Sequence, residues 1–236
     1  MSIINSNKNK HSNRYQNLKN YVKNSSYSIV DGINLIKKFG TTKFVETVES
    51  HISLNIDTKS GYQQVRSNVV LPFYNSNKNR KIAVLSLESD KSKFLNAGAT
   101  IVGYENLLHD ISQNIIAFDI LLTTSDVMPQ LAKLGHILGP KGLMPSSKSG
   151  TITNNIEDTI SQYKKGKIEY KADKSGIIHT SIGKIDFKKE HLLENLLAIY
   201  DSIEKTKPSG IKGKYIKSFY ICTTMSPSVQ ININSI

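Results

Sequence analysis

Residues 82–122 read IAVLSLESDKSKFLNAGATIVGYENLLHDISQNIIAFDILL, and this stretch decides the fold class. The spacing predicts a short apolar strand over 82–87 and a helix over 90–97 that stops at Gly98. A strand over 100–102, a helix over 105–113 and a strand over 118–122 follow. Strands alternating with helices indicate βαβ units and a parallel sheet.

The flanks differ from this centre. Upstream, Ser28 and Asp31 have capping-box spacing, with Asp in place of the preferred Glu. Ile29, Ile33 and Ile36 then recur at helical spacing, and Gly40 suits the position just past the helix end. From Val48 the period becomes two. Val48, Ile52, Leu54 and Ile56 fall on one face, with Thr47, Glu49, His51, Ser53 and Asn55 on the other. A second alternating strand spans 65–71 and stops at Pro72.

Downstream, a Pro/Gly-rich stretch precedes a helix bearing Ile156, Ile160 and Tyr163 on one side. Residues 167–171 and 177–182 flank DKSG at 173–176, which reads as a hairpin. A long helix carries Leu192, Leu196, Ile199 and Ile203, ended by Pro208 and Gly210. Residues 215–223 and 229–233 are strand-like, and residues 1–27 read as a loose basic arm. The two ends therefore resemble each other and the middle is inserted. The expected organisation is one domain from 1–74 and 167–236, interrupted by a second at 75–166.

Charge follows that division. The 236 residues carry a formal charge of +12, and the outer pieces together hold +10 of it. Such a balance points to a polyanionic partner, and the outer domain is the expected binding surface. The cations are 28 Lys and only 3 Arg, a bias of the kind an AT-rich genome produces. Cys222 is the single cysteine, so an intramolecular disulfide and a Cys-based structural zinc site are excluded. No run of 18 apolar residues is present, so no membrane partner is expected.

The densest motif, KLGHILGPKGLMP at 133–145, lacks P-loop spacing: Gly135 and Gly139 are four apart, and Gly142 follows Lys141. Its glycines and prolines instead predict a tight irregular connection. His109, His136, His179 and His191 are scattered, Cys222 suits a small core residue, and Glu157-Asp158 suits a solvated helix face. No constellation argues for an enzyme or a cofactor. The polar face of 47–56 and the TTMSPS stretch at 223–228 offer hydroxyls near lysines, a combination that reads phosphates and 2′-OH groups. Phe44 is either a core anchor or, if exposed, a stacking platform.

The stretch KLGHILGPKGLMPSSKSGT at 133–151 resembles the signature of the ribosomal L1 proteins. TKFVETVE at 42–49, DVM at 126–128, YKKGKIEY at 163–170 and TTM at 223–225 fit in the same order, from about Lys10 onward. The resemblance implies an α/β fold with two domains. One is discontinuous, with an antiparallel sheet built from both chain ends, and binds rRNA. The other is inserted and Rossmann-like. It implies a structural constituent of the large ribosomal subunit that binds the L1-stalk rRNA and assists exit-site tRNA release, without cofactor. Some members also repress translation of their own mRNA. Carried over, the RNA contacts are Lys43, Phe44, Glu46, Thr47, Thr224, Met225 and Ser228, with Lys174, His179 and Lys184 as weaker candidates. Gly139, Gly142 and Pro145 shape a loop from which Lys141 reaches the RNA. Two positions depart from the family: Ser226 stands where glycine is usual, and Gln230 where a basic residue is common. A Cβ at 226 would crowd the RNA if φ there were positive. The AT-rich residue bias and the family-like start KHSNRY at 10–15 lead to a mitochondrial location as the expectation, with a plastid or bacterial cytoplasm as alternatives.

Overall fold

The computed structural model describes residues 11–22, 25–59, 61–74, 80–87 and 91–235. In chain order the elements are α1 (Asn13–Tyr21), α2 (Ile29–Phe39), β1 (Thr47–Leu54), β2 (Arg66–Val70), β3 (Ile82–Leu85), α3 (Lys91–Ala97), β4 (Ile101–Gly103), α4 (Glu105–Ser112) and β5 (Ile120–Thr123). Then come α5 (Met128–Ala132), α6 (Gly135–Leu138), α7 (Ile156–Lys164), β6 (Lys167–Lys171), β7 (Ile177–Lys184), α8 (Lys189–Lys205), β8 (Ile216–Thr223) and β9 (Val229–Ile231).

The chain forms two compact units. The first holds the described residues through Lys59, Asp173–Leu197 and the residues from Ser209 onward. The second holds those between Lys59 and Asp173 together with Ala198–Pro208. A four-stranded sheet in the order β7-β1-β8-β9, antiparallel throughout, organises the first unit. β1 comes from near one chain end and β8 and β9 from the other, so the antiparallel sheet unites both ends. Val48, Ile52 and Leu54 are buried, as the period of two requires. Ser50 breaks that apolar series, and its buried hydroxyl is satisfied by Thr180 Oγ1 at 2.7 Å.

Helix α2 begins as its sequence dictates. The Ser28 side chain accepts from the Asp31 N–H at 3.2 Å and donates to the Asp31 carboxylate at 2.7 Å. Its end differs from expectation: Gly40 has φ −66° and forms the cap itself, and the absence of a side chain matters through space, since a Cβ there would meet Ile185 Cγ1 at 2.8 Å. The stretch read as a loose arm is partly helical. Residues 1–10 and 23–24 lie outside the described residues, but α1 starts from a Ser12 cap and buries Leu18. Tyr27 then bridges to Ile231 beside β9. Sparse apolar residues hid this helix, since tertiary contacts rather than periodicity hold it.

The expected hairpin at 173–176 also resolves differently. The turn is present: the Asp173 N–H donates to the Ile177 carbonyl at 2.9 Å, and the Asp173 carboxylate accepts from Ser175 and Ile177 N–H groups. Yet β6 and β7 do not pair with each other. β7 takes the edge of β1, and β6 pairs with β2 in a two-stranded sheet within the second unit. β7, with eight residues, finds in β1 a partner of eight residues where β6 offers five.

The three-stranded sheet of the second unit, order β4-β3-β5, is parallel, as the alternating pattern predicts. β3 is buried on both faces. Ala83 and Leu85 face Leu107, Ile111 and Leu131, whereas Ile82 and Val84 face Phe94, Ile156 and Ile160. Helices thus cover both sides of the sheet.

Candidate nucleic-acid interface

Ten of the residues carried over as RNA contacts lie in the first unit, and Lys141 lies in the second. The most closely knit group sits where β1 begins and β8 ends. The Thr47 N–H donates to Thr224 Oγ1 at 3.1 Å, and the Thr224 N–H donates to the Thr47 carbonyl at 3.1 Å. Lys184 Nζ donates to Thr47 Oγ1 at 2.6 Å, which places β7 at the same corner. Around it Lys43, Phe44, Thr224, Met225 and Ser228 are exposed. Phe44 is 54% exposed and Met225 50%, so Phe44 is no core anchor and both offer apolar surface to a partner.

Glu46 behaves differently. It is fully buried, and its Oε2 accepts from the Thr223 hydroxyl at 2.5 Å and from the Met225 N–H at 3.0 Å. Its Oε1 is buried with no hydrogen-bond partner among the described residues. A carboxylate so placed acts on the Thr223–Met225 turn from below. Ser226 closes that turn from above: its Oγ accepts from the Thr223 N–H at 2.9 Å and donates to the Pro227 carbonyl at 3.0 Å. Among described non-glycine residues only Asn114 has positive φ, so Ser226 adopts an ordinary conformation. Its Cβ therefore carries no backbone penalty.

Lys174 and His179 are not gathered at this corner. Ile177 and Lys184 sit at opposite ends of β7, roughly 23 Å apart at a rise of about 3.3 Å per residue. Lys174 lies beyond the Ile177 end, where its carbonyl accepts from the Thr58 hydroxyl at 2.8 Å. His179 occupies the open face midway along the sheet, opposite His51. The two Nδ1 atoms are 2.8 Å apart, His51 Nε2 is 3.2 Å from Cys222 Sγ, and His179 Nε2 is 3.5 Å from the Asp173 carboxylate. Burial, with His179 adding to it, lowers the His51 pKa below its usual 6.5 against a smaller opposing effect of Glu49. Burial and Glu49 push the Cys222 thiol up to about 11, which leaves it an unreactive thiol.

The sign of the His51 effect fixes a pH dependence. The unfolded chain takes up the proton more readily than the folded one. Stability is therefore present above about pH 6.5 and lost as pH falls through that value toward the folded pKa. Asp173, held below its ordinary 3.8 chiefly by the Ile177 N–H, adds a separate loss only at lower pH. The denaturant midpoint of the free protein, followed by circular dichroism, should fall between about pH 7.5 and about pH 5.5. His51→Gln should show a smaller drop. An undiminished drop in that variant would remove His51 from the account.

In the second unit the motif over 133–145 is more regular than the tight irregular connection expected, because α6 occupies Gly135–Leu138 within it. Gly139 ends α6, where a Cβ would meet the Gly135 carbonyl at 2.7 Å. Gly142 has φ +70°, a conformation that side chains with a Cβ rarely adopt. Leu138 and Pro145 are buried, and Lys141 is exposed with Nζ 2.7 Å from Asn114 Oδ1.

Arg14 and Thr41 belong to the first unit's corner, and His51 to the open face beside His179; the sequence reading singles out none of the three as a site residue. Arg14 donates to Thr41 Oγ1 at 3.2 Å and to the Met225 carbonyl. The one available signal was chemical: arginine is rare here, and its planar fork suits paired acceptors better than lysine does. Arg66, paired with Glu169, and Arg80, over the Tyr74 ring, follow the same rule.

Hydroxyls, lysines and exposed apolar side chains converge at the first unit's corner. Among the described residues no three His, Cys, Asp or Glu side chains could hold a metal ion. The arrangement is a recognition surface on an α/β scaffold. Residues 36–227 match the Ribosomal protein L1p/L10e family. A large ribosomal subunit protein uL1c of Trieres chinensis is 52% identical over 213 residues, covering 90% of this chain and 92% of that protein. The uL1c of Guillardia theta is 48% identical, covering 94% and 95%. The uL1 of Prochlorococcus marinus (strain MIT 9215) is 45% identical, covering 95% of each. The chain belongs to the ribosomal L1 family, and it is a structural constituent of the large ribosomal subunit, not an enzyme. The mitochondrial expectation finds no support in these relatives, which are uL1c proteins and a uL1 of Prochlorococcus.

Proposed function

We propose that the first unit grips the L1-stalk region of large-subunit rRNA and that the protein thereby helps deacylated tRNA leave the exit site, in a plastid ribosome. The observation that carries this reading is the reciprocal Thr47–Thr224 pairing, which joins the two chain ends in one exposed corner. Lys43 and Lys184 supply charge there, Phe44 and Met225 supply surface for ribose or base, and Thr224 and Ser228 supply hydroxyls. Glu46 acts from beneath by holding the turn rather than by touching RNA. His179 and Lys174 extend the contact along β7, and Lys141 reaches RNA from the second unit. The RNA-binding domain drawn from 1–74 and 167–236 accommodates all of these except Lys141. The uL1c relatives favour a plastid over a mitochondrion, and repression of the chain's own mRNA has no observation in its favour.

The test is direct. The full chain should bind a stalk-RNA fragment with an affinity that falls linearly on a logarithmic scale with salt, since neutralised phosphates release counterions. It should also bind an unrelated duplex far more weakly. Equal affinity for both RNAs would reduce the protein to a general polyanion binder.

A further inference from the structure

We infer that Arg14 is a positioning residue of the RNA-binding surface. The inference rests on the reading of that surface as an RNA interface. The guanidinium of Arg14 donates to Thr41 Oγ1, beside Lys43 and Phe44, and to the carbonyl of Met225 on the facing turn. The N–H of the same residue, Met225, donates to buried Glu46 at 3.0 Å. The backbone of Met225 is thus held from both sides, by an acid at its amide and a cation at its carbonyl. Its side chain stands 50% exposed.

A half-exposed methionine is a poor recognition element by itself. It is flexible, and ordering it on binding loses rotamer entropy. Fixing its backbone in the free protein removes the backbone share of the ordering cost in advance, leaving only the side-chain rotamers to be ordered, which raises affinity without adding a contact. Arg14 is suited to this because its planar fork addresses two acceptors at once, which a lysine ammonium does with far less directional definition. It can do so because α1 is anchored. Leu18 is buried, and the strand-like segment after the helix hydrogen-bonds on both sides of Tyr27, to the Gln230 carbonyl and from the Asn232 N–H. Arg14 therefore contributes geometry as well as charge.

Three variants of the full chain separate this role from an ordinary phosphate contact. Arg14→Ala and Arg14→Lys are titrated with the stalk-RNA fragment at several salt concentrations, with Thr224→Ala as a control for the surface itself. Met225 is followed in the free protein by methyl NMR, which is tractable because the chain has four methionines. Arg14→Ala should weaken binding about tenfold, with an unchanged slope of log K against log salt. Arg14→Lys should lose most of that affinity despite keeping the charge. In both, the Met225 methyl signal should shift or broaden before any RNA is added. The inference is overturned if affinity is unchanged, if Arg14→Lys restores it fully, or if the loss comes with a shallower salt slope, which marks a phosphate contact. An unmoved Met225 signal overturns it as well. If Thr224→Ala has no effect while the Met225 signal still responds to Arg14, it is the RNA reading of the surface that has failed.

Discussion

Thr224→Ala should lower the affinity for stalk RNA by about tenfold or more, because 1.4 kcal/mol is a factor of ten and an unpaired polar group costs about 1–3 kcal/mol. Two losses combine. The hydroxyl no longer meets its RNA partner, and the Thr47 N–H loses its 3.1 Å acceptor, so the corner that joins β1 to β8 loosens. Thr224→Ser keeps the oxygen and should bind nearly as well as the parent. Lys188→Ala provides the contrast: Lys188 is exposed and outside the corner, so its removal should subtract only salt-dependent attraction. Titrations at two salt concentrations decide the matter. A loss for Lys188→Ala as large as that for Thr224→Ala would mean diffuse electrostatics and no defined site.

Glu46→Ala should have the larger effect on stability. It strips acceptors from the Thr223 hydroxyl and the Met225 N–H, both held by one buried carboxylate. Hydrogen bonds to a charged group are worth about 1.5–3 kcal/mol each, and losing both should cost about 3 kcal/mol of the first unit's stability. An opposing term exists, because burying a charge is itself expensive, and Oε1 has no partner among the described residues. The hydrogen bonds should win, since the variant leaves one buried and one part-buried donor unmet rather than replacing all partners with apolar groups. Glu46→Gln, which retains one acceptor, should fall between. Chemical denaturation measures the stabilities, and a more stable Glu46→Ala would show that the carboxylate costs more than it contributes. RNA affinity should fall with Glu46→Ala even at temperatures where the variant is fully folded, because the Met225 turn is no longer held.

Much of this architecture was legible because two periods were. The period of two along 47–54 and the strand–helix alternation over 82–122 each follow from which side chains must face a core. What escaped has a physical reason. α1 carries one buried residue, so no periodicity announces it. The turn at 173–176 was legible from Asp and Gly, but the partner of each flanking strand was not, since pairing is decided by distant segments. At the candidate interface, the family resemblance pointed to Thr47 and Thr224, which the fold does bring together, whereas the burial of Glu46 was not legible: the sequence shows an acid near lysines and hydroxyls, and only packing shows that it points inward. The hydroxyl of Ser226 was visible, but its bond to the Thr223 N–H belongs to the folded turn.

The position of β1 sets the order in which the chain can acquire its shape during synthesis. Both neighbours of β1, at 177–184 and 216–223, are made long after it. At about 5–20 residues per second, the 122 residues between Leu54 and Ile177 keep β1 without a partner for roughly 6–25 s. For that interval a strand with Val48, Ile52 and Leu54 on one face has two open edges, a state prone to mispairing. The parallel sheet of 82–123 closes from local segments and needs no such wait. The corner at Thr47 is completed only when Thr224 has been added, so the hydrogen bond that ties β1 to the end of β8 is among the last to form.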